Sequence, residues 1–315
     1  MTGPRSAVVV NPAKVADPDQ LRRTLRTSLT KAGWPEPAWY ETTPEDPGRG
    51  QAKKAVADGA ELVFACGGDG TVTAVVTALT GTDVALAVLP AGTGNLLAAN
   101  LGLGTDPAAG LQVVLEGGRR RIDVGTIDDQ CFVVMAGMGF DAMMLQDTSE
   151  KAKKHIGWPA YLVGAAKHLL DRPMRVRIRL DGGPPIPRRP QAVIVGNVGR
   201  LQGGVRLLSK AQPDDGKLDV AILSPNNLMH WAALAWAVAS RRKRVPRMET
   251  FTASRVEIYS NRAQPRQLDG DLIAPGKAMK ISVRHKALLL CVPQPDADPD
   301  LAYDAAAVAK RAKRR

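Results

Sequence analysis

The sequence predicts an N-terminal α/β domain with a mostly parallel sheet, followed by a C-terminal domain that is mainly an antiparallel β-sandwich. Apolar strand-like runs alternate with helix-like segments over the first third of the chain, which is typical of βαβ units. From about residue 119 onward, several segments alternate apolar and polar residues with the period of two that half-buried strands show. The 315 residues, 44% of them hydrophobic, suffice for two domains with cores of their own.

The N-terminal domain is predicted to span residues 1–120. An acidic start and a glycine stop mark its first helix. The predicted strands are residues 6–12, 38–43, 61–66 and 83–90, and the predicted helices are residues 17–33, residues 50–60 and a segment that opens at Thr71.

The C-terminal domain is predicted to span residues 121–292, with one helix near residues 227–244. A proline-rich stretch at residues 182–190 is interpreted as a hairpin loop. Residues 293–315 form a C-terminal segment with a basic tail, which we expect to pack back toward the first domain. The predicted strands lie within residues 119–140, 174–183, 188–199, 216–225, 255–261 and 279–293.

Charge and composition restrict the partners and the compartment. The net charge of +12 favours anionic membranes or phosphorylated ligands, whereas 4% aromatic residues are too few for the stacking platforms of single-stranded nucleic-acid binders. Cys66, Cys131 and Cys291 each lie in an apolar run, so we expect buried, reduced thiols and a cytoplasmic protein. No segment has the apolar length of a signal peptide or a membrane span. The oligomeric state stays open, with a homodimer among the alternatives.

The stretch Leu62–Val76, LVFACGGDGTVTAVV, ends a buried strand on glycines and then opens a helix. Free N–H groups at a helix N-terminus, together with the helix dipole, favour an anionic ligand such as phosphate. Gly67, Gly68 and Gly70 let the backbone approach that ligand closely. Asp69 has two interpretations: it caps the helix that follows, or it meets a cation or takes a proton beside the phosphates.

A second stretch of the same kind, Leu89–Leu103, follows the next predicted strand. Successive βα connections lie side by side at the carboxyl edge of a parallel sheet, where ligands bind in open α/β sheets. This loop contributes Gly92, with Thr93 and Asn95 as uncharged polar groups. The two loops together predict a phosphate-binding site.

Two further polar residues reach the same edge of the predicted sheet. Asn11 follows the first strand and either binds a nucleotide or braces the neighbouring loop. Thr42 follows the second strand and, taken by itself, is interpreted with Thr43 as part of a capped turn.

In this order the motifs resemble the soluble diacylglycerol kinase family of bacteria, which is related to sphingosine and ceramide kinases. They are VVVNP, GGDGT and PAGTGN in the first domain, and GMGFDA, GNVGRLQGGVRLLSKAQPDDGKLDV and QLDGD in the second. The resemblance covers roughly residues 6–292. It implies an enzyme that uses ATP and Mg²⁺ to phosphorylate a lipid hydroxyl, with ATP in a cleft between the domains. More distantly, GGDGT is similar to a motif of NAD kinases and phosphofructokinases.

The same resemblance implies roles for individual residues. Gly67–Thr71 and Thr93 with its neighbours hold the ATP phosphates, and Thr42 contacts the nucleotide. Asp271, in a motif that reads DGE in relatives and DGD here, is the base that deprotonates the lipid hydroxyl, although its side chain is one methylene shorter. Asp69 binds the catalytic magnesium or shares the proton transfer with Asp271.

The AQPDDGKLDV stretch also has two interpretations. The residues alone favour a plain Asp-Asp-Gly hairpin turn. The resemblance implies a structural Mg²⁺ held by the Asp215 carboxylate and by backbone carbonyls near Gln212 and Lys217, which are oxygen ligands of the kind that Mg²⁺ takes.

The segment LMHWAALAWAVASRRKRVPR, which follows Asn227, suits a peripheral helix on an anionic membrane, because Trp231 and Trp236 precede a run of basic residues. A buried core helix fits its apolar length equally. The basic tail Lys310–Arg315 is a second candidate membrane contact. We therefore predict a cytoplasmic lipid kinase that acts transiently at the inner face of the membrane.

The first candidate acceptor is diacylglycerol, which would give phosphatidic acid. The alternatives are a kinase of a sphingoid base or ceramide, an NAD-kinase-like enzyme, and a non-catalytic module that binds nucleotides or anionic lipids.

Overall fold

The computed structural model describes residues 3–91, 95–103, 107–139, 172–199, 207–208, 211–240 and 245–293. The chain divides into two compact units. The first contains the residues up to Val124 and resumes at Lys286, and the second is Gly125–His285. The predicted phosphate ligands Gly92 and Thr93 lie outside the described residues, as do the second half of the GMGFDA motif, the basic run at residues 241–244 and the basic tail.

The first unit alternates strands and helices as predicted, and its strands run parallel in the order β2-β1-β3-β4. Every residue of β1, β3 and β4 is buried, which explains their continuous apolar sequence, because parallel strands are covered on both faces. The elements are β1 (Ser6–Val10), α1 (Pro18–Lys31), β2 (Ala38–Glu41), α2 (Arg49–Ala57), β3 (Leu62–Gly67), α3 (Asp69–Leu79), β4 (Ala85–Pro90), α4 (Leu96–Asn100) and α5 (Pro107–Leu115).

The ends of α1 follow from local chemistry. The Asp17 carboxylate accepts the backbone N–H three residues later at 2.8 Å, and Pro18 occupies the first turn, where no N–H is needed. Leu25 and Leu29, four residues apart on one face, are fully buried. The chain leaves the helix through Gly33, whose φ of 77° is a conformation that glycine adopts without strain.

The second unit is built from antiparallel strands in the order β12-β11-β10-β7-β13-β14, with β8 paired to β13 and β9 to β8. The predicted change from a parallel to an antiparallel part is thereby confirmed. Strand β5 begins and strand β14 ends in the first unit. The elements are β5 (Arg119–Ile127), β6 (Gln130–Phe132), β7 (Met135–Gly139), β8 (Val176–Leu180), β9 (Ile186–Arg188), β10 (Ala192–Gly196), β11 (Leu218–Leu223), α6 (Leu228–Ala239), β12 (Met248–Ala253), β13 (Arg255–Leu268) and β14 (Asp271–Cys291).

Several strands extend beyond the sequence prediction. Strands β13 and β14 continue as a hairpin through residues 262–278, and their register shifts between Tyr259 and Arg266, around Pro265. Proline cannot donate to a strand ladder, so it interrupts both the pairing and the sequence signal. Strand β9 lies in the stretch interpreted as a loop. Among the described strands it pairs with β8 alone, so Pro187 lies on an edge strand of that part of the sheet. Strand β12 is a further addition.

Helix α6, which the sequence predicts, has one buried and one exposed apolar face. Leu234 and Ala237 are 7% and 2% exposed, whereas Met229 and Trp236 are 80% and 66% exposed. Met229, Ala233 and Trp236 share one side at helical spacing. The buried-core interpretation therefore holds for only part of the helix. None of the helices in the described ranges combines the length and apolar character that a membrane crossing needs.

The three cysteines are buried free thiols, as expected. Burial raises the pKa of the Cys66 and Cys291 thiols to about 12, so that almost no reactive thiolate forms at neutral pH. We expect the folded protein to react with a thiol reagent such as DTNB only after denaturant is added. Rapid labelling of any of the three thiols in the native protein would contradict this burial.

Candidate active site

The carboxyl ends of the parallel strands bring the two predicted phosphate loops together. Strands β3 and β4 are parallel neighbours, with Cys66 beside Leu89 and Gly67 beside Pro90. Strand β1 lies on the other side of β3, and the backbone N–H of Asn11 donates to the carbonyl of Cys66 at 2.8 Å. The loops therefore leave the same edge of the sheet, where ligands of open α/β sheets bind.

Two hydrogen bonds connect the loop after β3 to the start of α4. The backbone N–H of Leu96 donates to the Asp69 carboxylate at 2.6 Å, and the side-chain amide of Asn95 donates to the Gly67 carbonyl at 3.4 Å. The Asn95 carbonyl oxygen also accepts the N–H of Ala98 at 2.8 Å, which caps α4. The buried Asn95 side chain thus braces the two loops against each other.

Asp69 lies at the start of α3. The N-cap of α3 is Gly68, and Asp69 is the first helical residue. Its carboxylate accepts an N–H from the start of α4, where the helix dipole favours negative charge. The structure thus assigns the N-cap position of α3 to Gly68 and not to Asp69. Its contact with magnesium and its share in proton transfer stay predictions.

Gly67 and Gly68 differ in their surroundings. A Cβ atom built on Gly67 would lie 2.6 Å from Oγ1 and 2.7 Å from Cβ of Thr71, so packing requires glycine there. A Cβ atom built on Gly68 meets no atom within 4 Å, and the φ of −84° suits any residue. Among the described residues nothing in packing requires glycine at position 68. The N-terminus of the 11-residue α3 lies at this position, and a helix N-terminus favours an anionic ligand.

The other predicted nucleotide contacts surround this loop. The Asn11 side chain accepts the N–H of Ala13 at 3.1 Å and donates to Thr71 Oγ1 at 3.5 Å, contacts that match the bracing interpretation. Thr71 and Thr42 are buried, and the N–H of Thr42 donates to the last carbonyl of β1 at 2.9 Å. Gly70 is exposed in the first turn of α3. We call residues 67–71 the phosphate loop.

Asp271 begins β14 at the tip of the β13–β14 hairpin. It pairs with Leu268 across the turn, and the turn residues Asp269 and Gly270 have φ of 45° and 93°. Positive φ at both residues is the type I′ geometry that an Asp-Gly pair favours. Asp271 is exposed, so the hairpin presents a carboxylate at a defined point of the second unit.

The adjacent Asp269, which the sequence analysis did not single out, holds this hairpin in place. Its buried carboxylate accepts the backbone N–H groups of Val133, Val134 and Met135 at 2.7, 2.8 and 2.8 Å. The pKa of Asp269 is raised to about 6. Burial is the largest cause and the charge of Asp271 adds to it, whereas the three N–H donors lower the pKa. The Asp-Gly pair signals a turn, but no pattern in the sequence marks its aspartate as buried.

This competition at Asp269 predicts a pH dependence of stability. A carboxyl group with a raised folded-state pKa stabilises the fold at a pH below its unfolded pKa, and it loses that contribution as the pH rises through its folded pKa. The rise from 3.8 to about 6 corresponds to on the order of 3 kcal/mol, lost between about pH 4 and pH 7.

Urea unfolding of the wild type and of Asp269→Asn at several pH values measures this effect. The free energy of unfolding of the wild type, relative to the variant, should fall as the pH rises. A relative stability that grows with pH would show that the three N–H donors outweigh burial.

The predicted metal ligands lie in an exposed turn before β11 that contains Gln212, Asp215 and Lys217. The N–H of Lys217 donates to Asp215 Oδ1 at 2.9 Å. The turn does not join a hairpin directly, because β10 pairs with β11 across the whole connection 197–217. Within the described ranges, no three His, Cys, Asp or Glu side chains are grouped to hold a metal. One carboxylate with backbone carbonyls fits Mg²⁺ when water completes the coordination.

Two family models match the sequence. The diacylglycerol kinase catalytic domain matches residues 5–127, and the YegS C-terminal NAD kinase beta sandwich-like domain matches residues 133–292. The second match confirms the predicted β-sandwich character of the C-terminal part.

Individual relatives agree with these matches. A Chromohalobacter salexigens protein named probable lipid kinase YegS-like is 34% identical over 227 residues, which cover 70% of this chain and 72% of that protein. A diacylglycerol kinase of Mycobacterium tuberculosis is 33% identical over 174 residues, covering 53% and 56%. The crystal structure of a diacylglycerol kinase from Bacillus anthracis shares the fold, with a TM-score of 0.68 at 18% identity over 93% of this chain and 98% of that one. The resemblance of the motifs is confirmed, and the chain belongs to the bacterial family of diacylglycerol kinases and YegS-like lipid kinases.

Proposed function

We propose that this chain transfers the γ-phosphate of ATP to the hydroxyl group of a membrane lipid, with diacylglycerol as the acceptor and phosphatidic acid as the product. The observation that carries the proposal is the phosphate loop, which leaves open space at Gly68 and is braced by Asn95 from the neighbouring loop. Membership in a family of lipid kinases supports the same reaction. The name of the M. tuberculosis relative supports diacylglycerol as the acceptor.

The start of α3 is the part of the chain that we assign to the ATP phosphates. The N–H groups of a first helical turn have no partners within the helix, and the helix dipole adds positive potential there. When bound, ATP supplies the phosphoryl group and Mg²⁺ neutralises part of its charge. We assign the Asp69 carboxylate to that magnesium and the turn at Asp215 to a second, structural one.

We assign Asp271 the role of general base toward the lipid hydroxyl. A base must lie within hydrogen-bond reach of the proton that it removes, so its position matters as much as its pKa. Asp269 acts as a positioning residue, because its three hydrogen bonds to residues 133–135 hold the turn that carries Asp271.

A transfer assay against a panel of acceptors tests the proposal. Purified protein is incubated with ATP labelled in the γ-phosphate and with micelles that contain diacylglycerol, sphingosine or ceramide as the only acceptor. We expect label in the diacylglycerol fraction. Label confined to sphingosine or ceramide would show that this lipid, and not diacylglycerol, is the acceptor. The absence of label from every lipid would overturn the proposal.

Phosphorylation of NAD is the second candidate function, because the matched C-terminal family is described as NAD kinase-like. The exposed apolar face of α6 favours a lipid acceptor instead, because exposed apolar patches mark contacts with membranes or proteins and a water-soluble acceptor does not require such a contact. An arm of the same assay with NAD in solution distinguishes the two functions, and we expect no label in NAD.

We also propose that the exposed face of α6 contacts the inner face of the membrane. The double variant Met229→Ser/Trp236→Ser should lose sedimentation with vesicles and activity on long-chain diacylglycerol in vesicles. It should keep its activity on a short-chain, water-soluble diacylglycerol, because it leaves the phosphate loop and Asp271 unchanged. The control is Leu115→Ser, which alters an exposed apolar residue of α5. This variant should keep both the sedimentation with vesicles and the activity on long-chain diacylglycerol. Normal vesicle binding by the double variant would contradict the contact.

A further inference from the structure

We propose that the second unit carries a separate anion site that binds a phosphate-bearing ligand. A cavity of about 560 Å³ opens along β8, β9 and β13, and its lining includes Arg175, Arg177, Arg189 and Tyr259, which we call the arginine pocket. Its volume lies in the range of small-molecule sites. The arginine pocket shares no residue with the phosphate loop or with the hairpin tip.

The strand register places the centre of the arginine pocket on one face of the sheet. Arg177 in β8 pairs with Tyr259 in β13 on one side and with Pro187 in β9 on the other. Directly opposite residues on neighbouring strands have side chains on the same face, close enough to act on one ligand.

The same register brings two further arginines together. The pairing of β8 with β9 continues past Val176, because the N–H of Met174 donates to the carbonyl of Pro190 at 2.8 Å. Arg175 therefore lies across from Arg189, on the face that also carries Arg177. Like charges directly opposite each other destabilise a sheet unless a counter-charge is present.

The described residues supply no counter-charge to these three side chains. Arg175, Arg177 and Arg189 are exposed, and their guanidinium groups make no hydrogen bond or ion pair within the described ranges. A neighbouring lining residue, Arg188, is neutralised, because it donates to both Glu249 carboxylate oxygens at 2.8 Å. The acidic Glu257 pairs in register with Arg179 and accepts the Tyr259 hydroxyl at 3.2 Å.

Phosphate is the anion that this arrangement suits best. The planar guanidinium fork matches phosphate oxygens two at a time, and three such groups call for a ligand with two or more negative charges. A phosphate monoester or a pyrophosphate has that charge, either free in solution or as a lipid headgroup.

The arginine pocket also lies far from the assigned general base. Tyr259 is roughly ten residues of strand from the turn at Asp269, on the order of 30 Å at the rise of a β-strand. A ligand in the pocket therefore leaves Asp271 accessible.

The test compares two triple variants that remove the same charge. Arg175→Gln/Arg177→Gln/Arg189→Gln removes the pocket charges, whereas Arg255→Gln/Lys277→Gln/Arg284→Gln removes three exposed charges of the same unit that do not line the pocket. Calorimetry with pyrophosphate and sedimentation with phosphatidylcholine vesicles, with and without phosphatidic acid, measure binding. Pyrophosphate that binds the phosphate loop contributes equally to all proteins, so the difference between variants reports the arginine pocket.

We expect the pocket variant to lose about tenfold in affinity per arginine, the effect of removing a charge-assisted hydrogen bond, and the control to change little. Loss of pyrophosphate binding identifies a soluble ligand, and loss confined to phosphatidic acid vesicles identifies a lipid headgroup; both support the site. Equal losses in the two triple variants, or no difference between pocket variant and wild type, would overturn it. Thermal unfolding checks the fold, and the single variant Arg177→Gln should show a tenfold loss if the triple variant unfolds.

Discussion

Replacing Asp271 with asparagine is expected to lower the rate of lipid phosphorylation by roughly 10²- to 10⁴-fold, the range that general acid–base catalysis contributes. Asparagine has the same size as aspartate but cannot accept the proton of the lipid hydroxyl. Because Asp271 is exposed at the start of β14, the free energy of unfolding should change by less than about 0.5 kcal/mol. Affinity for a non-hydrolysable ATP analogue, measured by calorimetry, should stay at the wild-type value.

Two further variants complete this experiment. Asp271→Glu keeps the carboxylate on a side chain that is one methylene longer, and this variant should keep most of the activity. Asp128→Asn changes an exposed aspartate in the turn between β5 and β6 and should leave the rate unchanged. If Asp271→Asn turns over as fast as the wild type, Asp271 is not the base.

Replacing Gly68 with alanine should reduce ATP affinity by about 10- to 100-fold, because the added methyl group occupies the space in which we expect the phosphates to meet the backbone N–H groups. The fold should tolerate the change, since the built Cβ contacts nothing within 4 Å and φ is −84°. Calorimetry for ATP and thermal unfolding for stability report the two effects separately.

The neighbouring Gly67→Ala is the matched comparison. Its methyl group would lie 2.6 Å from Thr71 Oγ1, so it should lower the free energy of unfolding by about 1–3 kcal/mol, as overpacking does. One glycine is thus predicted to serve binding and the next to serve packing. Wild-type ATP affinity in Gly68→Ala would place the phosphates elsewhere.

Much of the first unit could be predicted because parallel strands have a strong local signature. The continuous apolar runs at β1, β3 and β4 and the helical segments between them predict adjacent carboxyl ends, and with them the closeness of Gly67 and Asn95. The partner of Asp69 could not be predicted, because a capping pattern is local whereas Leu96 is 27 residues away. Only the folded chain shows that the Asp69 carboxylate accepts an N–H group from the N-terminus of α4.

The second unit was harder to predict because its decisive features are irregular or non-local. Pro265 and Pro187 weaken the strand pattern in β13 and β9, although both strands form around them. The sequence around Asp269 predicts an ordinary turn residue. Its carboxylate nevertheless accepts hydrogen bonds from Val133–Met135, about 135 residues earlier in the chain. The arginine pocket likewise depends on the register between strands, which the sequence of a single strand does not specify.

The most direct test of the central claim, that this chain transfers the terminal phosphate of ATP to a lipid hydroxyl, is a comparison of two labelled nucleotides. Wild-type protein is incubated with diacylglycerol vesicles and ATP labelled in either the γ- or the α-phosphate, and the lipid extract is counted and analysed by mass spectrometry. The account predicts label from γ-labelled ATP alone, in phosphatidic acid. Label from the α-phosphate, or no labelled lipid under conditions in which ATP binds, would contradict it.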